Sequence, residues 1–134
     1  MIYKSQSDYY QLVRPKSWEI EEDENTISIY DAINGVGAIN ITSYLIPKDY
    51  QFDVKKELIE FVDREDIPQN SIKTTFADHK KIASLELAIE DQYWRYYVLF
   101  CNHKALFITY NCRAVDKNKE LDEVSQIVES ILVN

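Results

Sequence analysis

Residues 80–112 read KKIASLELAIEDQYWRYYVLFCNHKALFITYNC, and the fold follows from how this stretch divides. Between Lys80 and Glu90, apolar Ile82, Leu85, Leu87 and Ile89 are interspersed with Ser84, Glu86 and Glu90, the period-two texture of a strand. Asp91-Gln92 predicts a two-residue turn. Trp94 to Cys101 is apolar on both parities, as in a central strand covered on both sides. Asn102-His103 predicts the next turn, because Asn tolerates the positive φ of a tight hairpin. Ala105 to Cys112 returns as the third strand.

Two-residue loops set the register. Ile89 then pairs with Trp94, Leu87 with Tyr96, Leu85 with Val98 and Ala83 with Phe100. Beyond the second turn, Phe100 pairs with Ala105, Val98 with Phe107 and Tyr96 with Thr109. Side chains alternate, so these residues share one face, which is large, aromatic and expected to be dry. The other face carries Ile82, Ser84, Glu86 and Ala88 beside Arg95, Tyr97, Leu99 and Cys101, then Leu106, Ile108 and Tyr110. It is mixed, and only partial cover is expected.

The flanks extend the pattern. Asp8 to Arg14 predicts a first strand after a short polar lead, Pro15-Lys16-Ser17 a turn, and Trp18-Glu19-Ile20 a short strand. Glu21 to Asn25 reads as an acidic turn before the strand Thr26 to Asp31. Asn34-Gly35 is a hairpin signal. Pairing Ile29 with Ile41 restores apolar alternation and requires a bulge near Gly37. In the second arm, Ile39, Ile41 and Leu45 face inward and Asn40, Thr42 and Tyr44 outward. Pro47 stops it. Asp53 caps a helix whose Val54, Leu58, Phe61 and Val62 share a face, ending before Pro68. Ser71 to Ala77 predicts a strand turning at Asp78-His79. Asp116 caps a last helix with the stripe Leu121, Val124, Ile127, Val128 and Ile131, which needs a sheet to bury it. Strands, helix, strands, helix with local connections give an α+β class built on an antiparallel sheet of about six to seven strands with two main helices.

The 134 residues make one domain, 1–134, large enough for a core without metal or disulfide. Ten tyrosines suit strands and binding surfaces alike. A net charge of −8 disfavours nucleic acid and anionic membranes and favours a basic protein partner. Met1-Ile2-Tyr3-Lys4 leads into polar residues without an apolar leader segment, and no apolar run approaches a membrane span. The predicted register puts Cys112 opposite Tyr93, eight residues from Cys101 or roughly 26 Å at ~3.3 Å per residue. A disulfide is excluded at that distance. Free thiols suit a reducing cytoplasm, the expected location.

Several motifs together resemble the PsbP-like (Mog/PsbP) fold group, in particular its small bacterial members of unassigned function. They are Tyr10-x-Leu12-x-x-Pro15-x-x-Trp18, the hairpin arm Gly37-Ala38-Ile39-Asn40-Ile41-Thr42, the strand Ala105-Leu106-Phe107-Ile108-Thr109-Tyr110, and Ile127-Val128-Glu129-Ser130-Ile131. The resemblance implies a single PsbP-like domain, an α/β/α sandwich used mostly for protein binding. It brings no shared catalytic motif, so no functional residue carries over.

The search for chemistry turns up little. His79 and His103 stand alone in turns, without metal-ligand spacing. Cys101-x-His103 lacks a group to orient a base. Gly35-Val36-Gly37 is a hairpin, not a phosphate loop. No cofactor is expected, and the chain does not read as an enzyme. The favoured reading is a non-catalytic interaction module, of immunity or adaptor type, that binds a basic protein. Its candidate surface is the acidic run Glu21, Glu22 and Asp23 together with Glu86, Arg95, Tyr97 and Tyr110 of the mixed face. The alternative is a small-molecule-binding domain or cryptic enzyme with a pocket between that face and a helix, lined by Glu86, Arg95, Tyr97 and Tyr110. A homodimer through the sheet surface stays open.

Overall fold

The computed structural model describes residues 1–134. Along the chain run β1 (Ile2–Lys4), β2 (Tyr10–Val13), β3 (Trp18–Asp23), β4 (Thr26–Asp31), β5 (Gly37–Leu45), α1 (Val54–Val62), β6 (Lys73–Ala77), β7 (Lys80–Ile89), β8 (Gln92–Cys101), β9 (Lys104–Arg113), α2 (Leu121–Glu129) and β10 (Leu132–Val133). Seven strands form one antiparallel sheet in the order β3-β4-β5-β9-β8-β7-β6, and β1-β2-β10 form a second.

The meander is β7, β8 and β9. Asn102 and His103 both take positive φ, as do Asp78 and His79, the backbone combination of type I′ turns that matches strand twist. The β8–β9 register is the one expected, with Phe100 opposite Ala105 and Val98 opposite Phe107. The β7–β8 register is shifted by two. The turn is Glu90-Asp91, and Ile89 faces Gln92, Leu87 faces Trp94 and Leu85 faces Tyr96. A shift of two preserves the faces. It also sets Glu86 opposite Arg95, whereas the expected register would have put Glu86 opposite Tyr97, and opposite charges across a ladder are favourable.

The β4–β5 hairpin also keeps its faces but not its predicted register. Ile29 faces Ile39 and Ile27 faces Ile41, with no bulge. A five-residue loop joins the strands instead. The Asp31 carboxylate accepts from the amides of Ile33 and Asn34, and Gly35 N–H donates to the Asp31 carbonyl. Gly37 is needed for space rather than for φ. A Cβ there would lie 2.1 Å from the Asn111 carbonyl oxygen of β9. On the inward parity of β5, Ser43 is buried while Leu45 is exposed, because the strand end runs past the layer that covers it.

The acidic run is not a turn. β3 continues through Asp23, with Glu21 opposite Ser28 and Glu22 opposite Ile27, and only Glu24-Asn25 turns. An outermost strand can carry such charges because its free side faces water. The first strand is shorter than expected. The Ser5 hydroxyl accepts from the amides of Tyr9 and Tyr10 just before β2 begins. The short strands β1 and β10, which pair with β2, have no counterpart in the sequence reading.

Each helix covers one face. The Asp53 carboxylate caps α1 by accepting from the amides of Lys55 and Lys56 at 3.0 and 3.3 Å. Helix α1 lays Val54 and Leu58 on Ala83, Leu85 and Val98. On the other face, α2 brings Val124, Ile127 and Val128 down, followed by Ile131, and the small sheet adds Tyr10 and Leu12. Together they cover Trp18, Ile27, Ile29, Ile39, Ile41, Leu99, Leu106, Ile108 and Tyr110. The expected cover is therefore reversed. The mixed face holds the larger and drier core, because α2 and the small sheet together span it. On the aromatic face, nine-residue α1 leaves Trp94, Tyr96, Phe100 and Phe107 half-buried, with Trp94 stacked on Tyr96. Asp116 does not cap α2. It lies in a 3-10 turn and pairs with Lys119, and the helix begins after Glu120.

Candidate functional site

One corner of the mixed face escapes α2. Cross-strand pairing sets Lys73, Ser84 and Tyr97 in one row and Glu86 and Arg95 in the next. Helix α2 supplies Ser125, Val128 and Glu129 as a wall, and Ser71 stands at the rim. The cleft between them encloses about 460 Å³, within the range of small-molecule sites.

Arg95 is its centre. The guanidinium donates from Nε to Tyr93 Oη at 2.7 Å, from Nη1 to Tyr97 Oη and Ser125 Oγ at 3.2 Å each, and from Nη2 to Glu86 Oε1 at 2.8 Å. Four partners on β7, β8 and α2 hold the planar fork in place, which leaves it little rotamer freedom to lose. Burial pushes the Tyr97 phenol up despite the opposing charge of Arg95, so it stays protonated at neutral pH. Lys73 and Glu129 also face the cleft, and neither makes an ion pair within the chain. Two cations and two carboxylates therefore line it, with serine hydroxyls between them.

Of the residues selected from sequence, Glu86, Arg95 and Tyr97 come together here. Tyr110 does not, and it cannot touch a partner or a pocket. It is fully buried, with its hydroxyl donating to Glu120 Oε2 at 2.8 Å. Nothing in the sequence around Glu120 singles it out. Its carboxylate is also buried and accepts the amides of Val36 and Gly37 at 3.2 Å each. Burial and then the Glu120 hydrogen bond push the Tyr110 phenol strongly upward. This site is closed, and it ties α2 to the β4–β5 loop.

Glu21, Glu22 and Asp23 lie on β3, five strand positions from Glu86 on β7, or roughly 24 Å at ~4.8 Å per strand. Glu21 points to the α1 side, where Tyr30 Oη donates to it at 2.9 Å, and Glu22 to the α2 side. The selected residues thus fall on two separate surfaces. His79 and His103 are exposed turn residues, and Cys101 and Cys112 are free and buried, their thiols pushed up by burial. No motif in the sequence singles out Ser71, Lys73, Ser125 or Glu129, which complete the cleft. Alone they are ordinary surface residues, and only the β6–β7 register and the seat of α2 assemble them.

Comparison with known proteins bears on the fold. No family model matches the chain, and no curated protein matches it in sequence. The solution structure of cyanobacterial PsbP (CyanoP) from Synechocystis sp. PCC 6803 is similar with a TM-score of 0.72 and 12% identity. The match covers 100% of this chain and 92% of that one. A crystal structure from Bacteroides thetaiotaomicron VPI-5482 is similar with a TM-score of 0.69 and 13% identity over 99% of this chain, which spans 48% of that one. The chain has a PsbP-like α+β fold. No helix is long and apolar enough to cross a membrane.

Proposed function

We propose that this domain binds a small polar ligand in the cleft between α2 and strands β6–β8. The observation that carries the reading is the immobilised Arg95 fork in a concavity of ligand size. Lys73 and Arg95 offset Glu86 and Glu129, so the lining favours a molecule without net charge, with a zwitterion such as an α-amino acid matching the unpaired Lys73 and Glu129. The test is isothermal titration with a panel of amino acids and, as a contrast, neutral sugars and inorganic phosphate. Binding of a zwitterion that weakens at least ten-fold in both Lys73→Ala and Glu129→Gln supports the reading. Binding indifferent to both substitutions, or none across the panel, rejects it.

The acidic edge favours a second reading, an interaction module for a basic protein of immunity or adaptor type. Glu21, Glu22 and Asp23 are all exposed on an outermost strand. Association with such a partner would be fast and strongly salt-dependent. Lysozyme serves as a generic basic probe. Capture that persists in a Glu21→Lys, Glu22→Lys, Asp23→Lys triple variant would remove the edge from consideration.

A further inference from the structure

The two borders of the main sheet are built differently. The β3 border carries Glu19, Glu21, Glu22 and Asp23 in six residues, a charge density that keeps another strand away. The β6 border, Lys73-Thr74-Thr75-Phe76-Ala77, carries one charge, no proline and no bulge. All five of its residues are exposed, Phe76 at 67%, and its only neighbour is β7. Thr, Thr and Phe are residues that gain from a paired strand rather than from water.

We infer that β6 pairs antiparallel with β6 of a second copy of this chain, about a two-fold axis at Thr75. The sequence is self-complementary in that register, as an isologous contact requires. Thr75 faces Thr75 of the second copy, Thr74 faces Phe76, and Lys73 faces Ala77. Threonine beside phenylalanine is a favourable cross-strand pair. Lys73, the one charge on this border, then meets the small Ala77 of the second copy rather than a like charge. The equivalent pairing of β3 with itself would oppose Glu19 and Glu22. Only the β6 border accepts a copy of itself.

Five residues a side fall short of the roughly 20–30 a side of standard interfaces, so the dimer is weak and exchanges rapidly. Cross-linking captures such a contact. Residues directly opposite in an antiparallel pair lie ~4.5–5.5 Å apart between Cα atoms, inside the disulfide range. The native thiols are buried and do not compete. On mild oxidation, Thr75→Cys is expected to cross-link to itself. Lys73→Cys alone and Ala77→Cys alone are expected to cross-link poorly, while a mixture of the two cross-links well. Sedimentation of the unmodified chain should show a dimer fraction that grows with concentration. In Thr75→Lys, two cations meet at the axis and association should weaken at least ten-fold. Equal cross-linking in every variant or a dimer insensitive to Thr75→Lys overturns the inference. A monomer at every concentration overturns it too, and leaves this border to an extended segment of a different protein.

Discussion

Two carboxylates flank helix α2 on the same side of the sheet, and their surroundings are opposite. Glu120 is buried and takes three donors, two of them backbone amides that cannot turn away. Glu86 is half-exposed and takes one, from an Arg95 fork that also reaches the cleft. The first arrangement is complete without a ligand, and any change leaves donors stranded. The second is held in shape yet still reached by solvent. The contrast teaches that a carboxylate whose partners are all internal ties the fold together, whereas one held by a rigid, accessible guanidinium keeps its charge at the surface.

Breaking the closed site should have the largest effect. Glu120→Ala strands two amides and the Tyr110 hydroxyl, for an expected loss of about 4 kcal/mol in urea unfolding, since each buried unsatisfied group costs ~1–3. Glu120→Gln keeps an acceptor and should cost about half as much. If either proves as mild as a change at Glu86, the contrast fails.

Gly37→Ala attacks the same site from the other side. Its Cβ would press on the Asn111 carbonyl and on Tyr110. The strands must part to admit it, and about 2–3 kcal/mol should be lost by the same measurement. Tyr110→Phe removes one donor and should cost about 1–2 kcal/mol at neutral pH. It also sharpens the comparison through pH. Burial holds the phenols of Tyr110 and Tyr10 above their unfolded value. A raised folded pKa means that their stability contribution is whole below the unfolded value of ~10 and is lost as pH rises beyond it. The urea midpoint should therefore fall above about pH 10, and less steeply in Tyr110→Phe. The smallest effect is expected at the open site. Glu86→Ala breaks a partly exposed ion pair and should cost under ~1 kcal/mol. It would nevertheless alter ligand titration, which loss of Glu120 would affect only through unfolding.

The same contrast explains what could be read from the chain. Alternation assigns faces, and faces survived even where the β7–β8 and β4–β5 registers moved by two, because a shift of two leaves every side chain on its side. The Glu86–Arg95–Tyr97 corner was legible for that reason. Cover was not. Two helices with similar apolar stripes can lie on either face, and the choice rests on how far α2 and the small sheet extend together. Glu120 was opaque because its donors sit at Val36 and Gly37, more than eighty positions away. Ser43 inside and Leu45 outside reverse what hydropathy alone would assign.

The small sheet sets an expected order of assembly. Val13 N–H donates to Ser130 Oγ, 117 positions further on, and β10 closes on β2 just beyond. Closing a loop of that length costs about 3 kcal/mol more chain entropy than closing one of a few residues. The β7–β8–β9 meander, joined by turns of two residues, has no such burden. During refolding the meander should gain amide protection early, and the β2–β10 pair should gain it last and lose it first. Pulse-labelled hydrogen exchange would show that sequence directly, and simultaneous protection of both regions would contradict it.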